Sequence, residues 1–200
     1  IHSVLSVDKT LRGYLILCRS PQINSEVETM KTKLMYVVRN NYKDEDKKRQ
    51  TSILGVYDDL LKAYNAAHIK AIQLKDSHPL HRMEIKVVPL NGTDYLGCSA
   101  YEFNFLEPKT ELQIKLRQAV IERWWLWSDF NVEVINPLPL KELLVEALTV
   151  KPVTVNFSGE TFEAKDGEIL INGKPSESER DLTFLAERVY DEDAEIYSTK

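Results

Sequence analysis

Apolar positions along this chain change period part-way, and the change divides it. Val27, Met30, Leu34, Val37 and Val38 recur at steps of three and four, the spacing of one helix face. They follow a capping box at Ser25–Glu28, whose hydroxyl and carboxylate can satisfy the free amides of a first turn. Ile53, Tyr57, Leu60, Leu61, Tyr64, Ala67, Ala71 and Leu74 repeat the pattern beyond the charged run Lys43–Arg49. At ~1.5 Å per residue, this second stretch of roughly 25 residues would be a helix nearly 40 Å long. Two long helices packed antiparallel would bury both stripes, so residues 1–77 are expected to be mainly helical. Gly13–Cys18, a continuous apolar run near the start, also fits a buried strand.

After His78-Pro79 the period shortens. Met83–Leu90 is β-branched and apolar, Asn91-Gly92 suits a tight turn, and Tyr95–Leu106 returns as a strand, which together predict a hairpin. Thr110–Gln113 opens a third helix running to Trp127. A strand over Asn131–Ile135, a helix over Leu138–Val150 and a strand over Val153–Phe157 follow. Ser158-Gly159 and Asp166-Gly167 punctuate a meander ending at Ile171, and a capping box at Ser176–Glu179 opens a last helix through Tyr190. Short hairpins imply antiparallel sheet, so the class is α+β: an N-terminal long helical pair, then antiparallel hairpins interleaved with helices. Residues 78–200 form the α+β region, either separate from 1–77 or continuous with it.

Composition narrows the classes. An apolar share of 43% with 28% charged residues is that of an ordinary globular chain rather than a disordered or fibrous one. No apolar run approaches the ~20 residues of a membrane-spanning helix, so no membrane partner is expected. No secretory signal is visible, and Cys18 and Cys98 stand too far apart for a disulfide framework or a zinc knuckle. Two reduced thiols point to the cytoplasm. The chain opens on Ile1 rather than Met, as a processed product or an excised piece would. Residues 1–90 carry 15 Lys and Arg against 10 Asp and Glu, whereas 91–200 carry 11 against 21. Opposed charge of this kind suits different partners for the two halves, or one half meeting the other half of a neighbouring copy.

Three patterns bear on chemistry. Glu84-Ile85-Lys86, inside an apolar strand, resembles the E-x-K part of the PD-(D/E)xK nuclease pattern. That resemblance implies a metal-dependent nuclease in which Glu84 holds Mg²⁺ and Lys86 orients the attacking water. The aspartate that the family carries on a preceding strand has no counterpart, because a long helix is expected there. His78, His81 and Glu84 form an H-x-x-H-x-x-E string of zinc-type ligands, but Pro79 breaks any helix that would line them up, and on a strand the same steps alternate faces. No metal site is therefore expected. Lys62, Lys70, Lys75, Arg82 and Lys86 offer a basic row for phosphate contacts, interrupted by Asp58, Asp59 and Asp76, so a nucleic-acid-binding module built on residues 1–90 is a further alternative. No phosphate-binding glycine loop, dinucleotide fingerprint or G-x-S-x-G elbow appears, and no cofactor is expected.

The most unusual feature is Trp124-Trp125-Leu126-Trp127 on the third helix. Leu112, Leu116, Val120, Trp124 and Trp127 make one apolar stripe, and Ile114, Ile121 and Trp125 make a second. A helix apolar over so much of its girth is either central to a core or shared with a partner. Ile114, Ile121 and Trp125 are the candidate partner-binding residues, because buried tryptophan is enriched at interface hot spots. The function expected from these features is non-catalytic: a structural or assembly subunit, or an interaction domain of a larger complex, present in several copies.

Overall fold

Leu34, Tyr36, Val38 and Asn40 are buried, while Met35, Val37, Arg39 and Asn41 between them are only partly so. That alternation has period two, which belongs to a strand. A computed structural model describes residues 30–78, 81–90, 98–102, 105–127, 132–150, 155–157 and 160–190. Its elements, in chain order, are β1 (Met30–Thr32), β2 (Leu34–Lys43), β3 (Arg49–Tyr57), α1 (Leu60–Leu74), β4 (Arg82–Pro89), β5 (Cys98–Glu102) and α2 (Glu111–Trp127). They continue as β6 (Val132–Val134), α3 (Leu140–Val150), β7 (Val155–Phe157), β8 (Glu160–Lys165), β9 (Glu168–Ile171), β10 (Lys174–Pro175) and α4 (Glu179–Tyr190). The mixture of helix with antiparallel sheet is α+β, as expected.

The N-terminal helical pair is corrected. Where a first helix was expected the chain forms β1 and β2, and the first part of the expected second helix is β3. Residues 1–29, including Ser25–Glu28, lie outside the described residues. Tyr36, Val37, Val38 and Tyr42 favour a pleated surface over a helix, and a strand with apolar side chains on both faces mimics a three-to-four spacing. Only Leu60–Leu74 remains helical, started by Asp59, whose carboxylate accepts the Lys62 amide at 3.0 Å.

β3, β2, β4 and β5 pair in that order as an antiparallel sheet. Its neighbours β2 and β4 come from opposite sides of the expected 77/78 division, with Val38 opposite Ile85 and Tyr36 opposite Val87. The sheet therefore runs through that division. α1 and α2 cover one face. Leu34, Tyr36, Val38, Met83, Ile85 and Val87 of the sheet meet Leu60, Ala63, Tyr64 and Ala67 of α1 and Ile114, Ile121 and Trp125 of α2 in one apolar cluster. Tyr64, Tyr101 and Phe105 close its end, with ring centroids 5.1 Å to 6.0 Å apart.

A second cluster lies on the other flank of α2, where Leu116, Ala119 and Val120 pack with Leu140, Leu144 and Leu148 of α3, Ile169 of β9, and Leu182, Leu185 and Ala186 of α4. β7 to β10 form an antiparallel meander beside it. At its start α2 realises the expected capping box: Gln113 Oε1 accepts the Thr110 amide at 2.9 Å, and Thr110 Oγ1 accepts the Gln113 amide at 3.2 Å. Between α2 and α4 sits a buried ion pair. Glu122 accepts hydrogen bonds from Gln118 Nε2 at 2.9 Å and the Leu138 amide at 2.7 Å, while Arg123 donates to the Leu138 carbonyl at 2.7 Å and to Glu179 at 3.2 Å.

Candidate functional site

The α2 residues named as a partner surface are inside the molecule. Ile114, Ile121 and Trp125 are 1%, 0% and 3% exposed and belong to the cluster beneath the sheet. Leu116 and Val120 are equally buried on the opposite flank. Ile114, Ile121 and Trp125 of one stripe and Leu116 and Val120 of the other are thus taken up by the chain's own layers, and the partner assignment is corrected: Ile114, Ile121 and Trp125 offer a neighbour no surface. A helix sandwiched between two cores and a helix shared with a partner carry the same stripes.

Glu84 stands on the face of the sheet that α1 and α2 leave bare. Its carboxylate accepts hydrogen bonds from Asn41 Nδ2 at 3.0 Å and Ser99 Oγ at 2.8 Å, and pairs with Lys86 Nζ at 3.4 Å and Arg39 Nε at 3.9 Å. Burial pushes this carboxyl up, but the hydrogen bonds of Asn41 and Ser99 and the charges of Lys86 and Arg39 outweigh it and hold Glu84 below the usual carboxylate range. Both carboxylate oxygens are occupied by donors, and Lys86 is one of the balancing cations. Glu84 and Lys86 thus form a closed polar cluster. Among the described residues, no three His, Cys, Asp or Glu side chains are grouped so as to hold a metal ion.

His78 and His81 lie elsewhere. Tyr42 and Asn40 project on the helix-covered side of β2, and His81 stacks on Tyr42 with centroids 4.7 Å apart. Glu84 points to the opposite face, so the H-x-x-H-x-x-E string does not converge. Asn40 Nδ2 meets His81 Nδ1 at 2.8 Å, and the His78 ring is 4.8 Å from that of His81. Burial, then the neighbouring His78 and Lys70, push the His81 imidazole below its usual range. These rings mark the open end of the layer between sheet and α1, where a groove of about 580 Å³ is bordered by Ser52, Leu54, Lys70 and Leu74 as well.

The basic row does not form a stripe. At ~100° per residue, Lys70 stands about 80° round α1 from Lys62, and Lys75 about 140° further. Lys62 is bound to Asp58 at 3.0 Å, Lys70 borders the groove, and Lys86 is bound to Glu84. Cys18 lies outside the described residues, and Cys98 opens β5. No helix among the described residues is long and apolar enough to cross a membrane.

A feature that sequence reasoning missed is the edge of the four-stranded sheet. β3 pairs with β2 alone among the described residues. Ile53, Leu54 and Val56 on it are 67%, 38% and 55% exposed, and Ile69 and Ile72 of α1 are exposed as well. The signal was present in Gly55, which suits a strand irregularity better than a helix interior. The pairing skips Leu54 as a bulge, with Gly55 opposite Val38 and Ile53 opposite Arg39. A Cβ at Gly55 would lie 2.7 Å from the Tyr57 ring.

No protein-family model, curated protein or solved structure matches this chain. Its function has to be argued from its own surfaces.

Proposed function

We propose that the chain is a non-catalytic structural or assembly subunit whose copies meet through the edge of β3 that no other described strand pairs. What supports this reading is a nine-residue edge strand carrying exposed Ile53, Leu54 and Val56. An edge strand leaves alternate backbone amides and carbonyls to solvent, a template for another strand. The opposite edge, β5, has five residues, and α2 reaches over it through Arg117, whose Nε donates to the Ala100 carbonyl at 3.4 Å.

The occupant is a second copy, because the edge is complementary to itself. Lys47, Lys48 and Arg49 stand at one end of β3 and Asp58 and Asp59 just beyond the other. Antiparallel pairing about a two-fold axis at Ile53 sets residue 48 of one copy opposite residue 58 of the next. Each basic end then approaches Asp58, which Lys33 and Lys62 already hold within its own copy, so this isologous contact draws mainly on the strand edge and its apolar side chains.

Sedimentation velocity over a range of protein concentrations tests this. Dimers with a dissociation constant of about 10 μM are expected, near −7 kcal/mol. Ile53→Lys sets two like charges face to face on the axis and should give a folded monomer. A wild-type chain that stays monomeric throughout the range, or an Ile53→Lys chain that associates equally well, would refute the proposal.

A further inference from the structure

The groove at the open end of the sheet–α1 layer is arranged to donate hydrogen bonds. An amide nitrogen can only donate, so Asn40 Nδ2 at 2.8 Å makes His81 Nδ1 an acceptor and leaves the His81 proton on Nε2. The ring is held by its stack on Tyr42 and by the neighbouring His78. Asn40 Oδ1 is buried with no hydrogen-bond partner among the described residues, an acceptor left over on the same side of the sheet. His78 and His81 also border a second cavity of about 230 Å³, with Lys75, Arg82, Met83 and Leu106.

Cations surround the two imidazoles. Lys43 and Lys70 border the first groove, and Lys75 and Arg82 the second. The carboxylates nearby are Asp44 and Glu45, on the turn after β2. Asp44 is engaged by Gln50 Nε2 at 2.7 Å and the Lys48 amide at 2.8 Å. A positive field around the two histidine rings repels a metal cation and favours an anion. Leu54 and Leu74 supply an apolar floor beside it.

We infer that His78 and His81, with Lys70 beside them, bind the phosphate group of a phosphorylated small molecule whose body rests on Leu54 and Leu74. The phosphate dianion accepts from His81 Nε2–H and from Lys70 Nζ, and charge-assisted bonds of this kind are the strong ones. This inference is independent of the β3 edge, and either can fail alone.

Calorimetric titration of the full chain with inorganic phosphate, ribose 5-phosphate, AMP and adenosine tests it, with the histidine ring resonances followed by NMR. The two phosphate esters should bind with dissociation constants of about 1 mM or tighter and shift the His78 and His81 signals. Inorganic phosphate should bind more weakly than the esters, and adenosine should show no heat. Lys70→Ala should weaken ester binding at least about tenfold, and Lys70→Arg should restore it. Esters that leave both histidine signals unmoved would overturn the inference. So would equal binding to Lys70→Ala, or Zn²⁺ binding at these histidines while the esters stay silent.

Discussion

Replacing Arg123 with methionine isolates the contribution of the buried ion pair between α2 and α4. Methionine keeps most of the side-chain bulk and removes the charge. Glu122 then stays in place with its side chain 6% exposed and its cation, 3.8 Å away, gone. Breaking a buried pair by removing one partner costs about 3–5 kcal/mol, because the remaining charge is uncompensated. The lost contact to Glu179 adds at most about 1 kcal/mol, since Glu179 is exposed. The expected loss is therefore about 4 kcal/mol, a large part of the ~5–15 kcal/mol that a domain typically has.

The sign with pH follows from the carboxyl. Burial already pushes Glu122 above its ordinary value of 4.5, against hydrogen bonds from Gln118 and Leu138 and the charge of Arg123, and removing that charge pushes it further. A folded-state value above the unfolded one means that the folded chain binds the proton more tightly, so stability falls as pH rises through that window. The Arg123→Met deficit should shrink on going from about pH 7.5 to pH 5, and Glu122→Gln in the same chain should recover most of it at the higher pH. Urea unfolding followed by circular dichroism measures all three. A single variant as stable as the wild type, or a deficit unchanged by pH and by Glu122→Gln, would refute the buried-charge account.

Trp125→Ala should lower stability by about 3–5 kcal/mol through the cavity it leaves. Its sedimentation behaviour should match that of the wild type at concentrations where both are folded; a stable variant that dissociates would restore Trp125 as an interface residue. Glu84→Ala should destabilise the chain near neutral pH, and because the folded-state carboxyl is held low, the difference should fade as pH falls through that lowered value. The same variant and its parent should both leave DNA and RNA uncut in Mg²⁺ or Mn²⁺. Cleavage by the parent that is lost on Glu84→Ala would return the nuclease reading.

Elements opened by a capping box or carrying a clean apolar run were legible in the sequence. α2 and α4 fall where capping boxes predicted them and α3 lies within the expected Leu138–Val150, although Ser178 rather than Ser176 accepts a first-turn amide of α4, from Asp181. β4 was legible because Met83, Ile85 and Val87 alternate cleanly. β2 and β3 were not, because the bare side of the sheet carries Val37, Ile53 and Val56, and apolar residues on both faces blur the period. Glu122-Arg123 reads in the sequence as an ordinary pair on a solvated helix, and only the approach of α4 and Leu138 desolvates it. The partnership of Asn40 with His81 joins residues 41 apart, beyond the reach of any local pattern. In α2 the stripes were legible, but not what covers them.

A helix with one apolar flank can roll slightly to relieve a strained neighbour, whereas α2 has no such freedom. Turning it by one residue, about 100°, would carry Ile121 out of the layer beneath the four-stranded sheet and Val120 out of the layer shared with α3 and α4. It acts as a keystone, with thrust from both sides fixing its angle. Loosening either layer transmits strain to the other, so the sheet that presents β3 and the meander around Ile169 should melt as one cooperative unit.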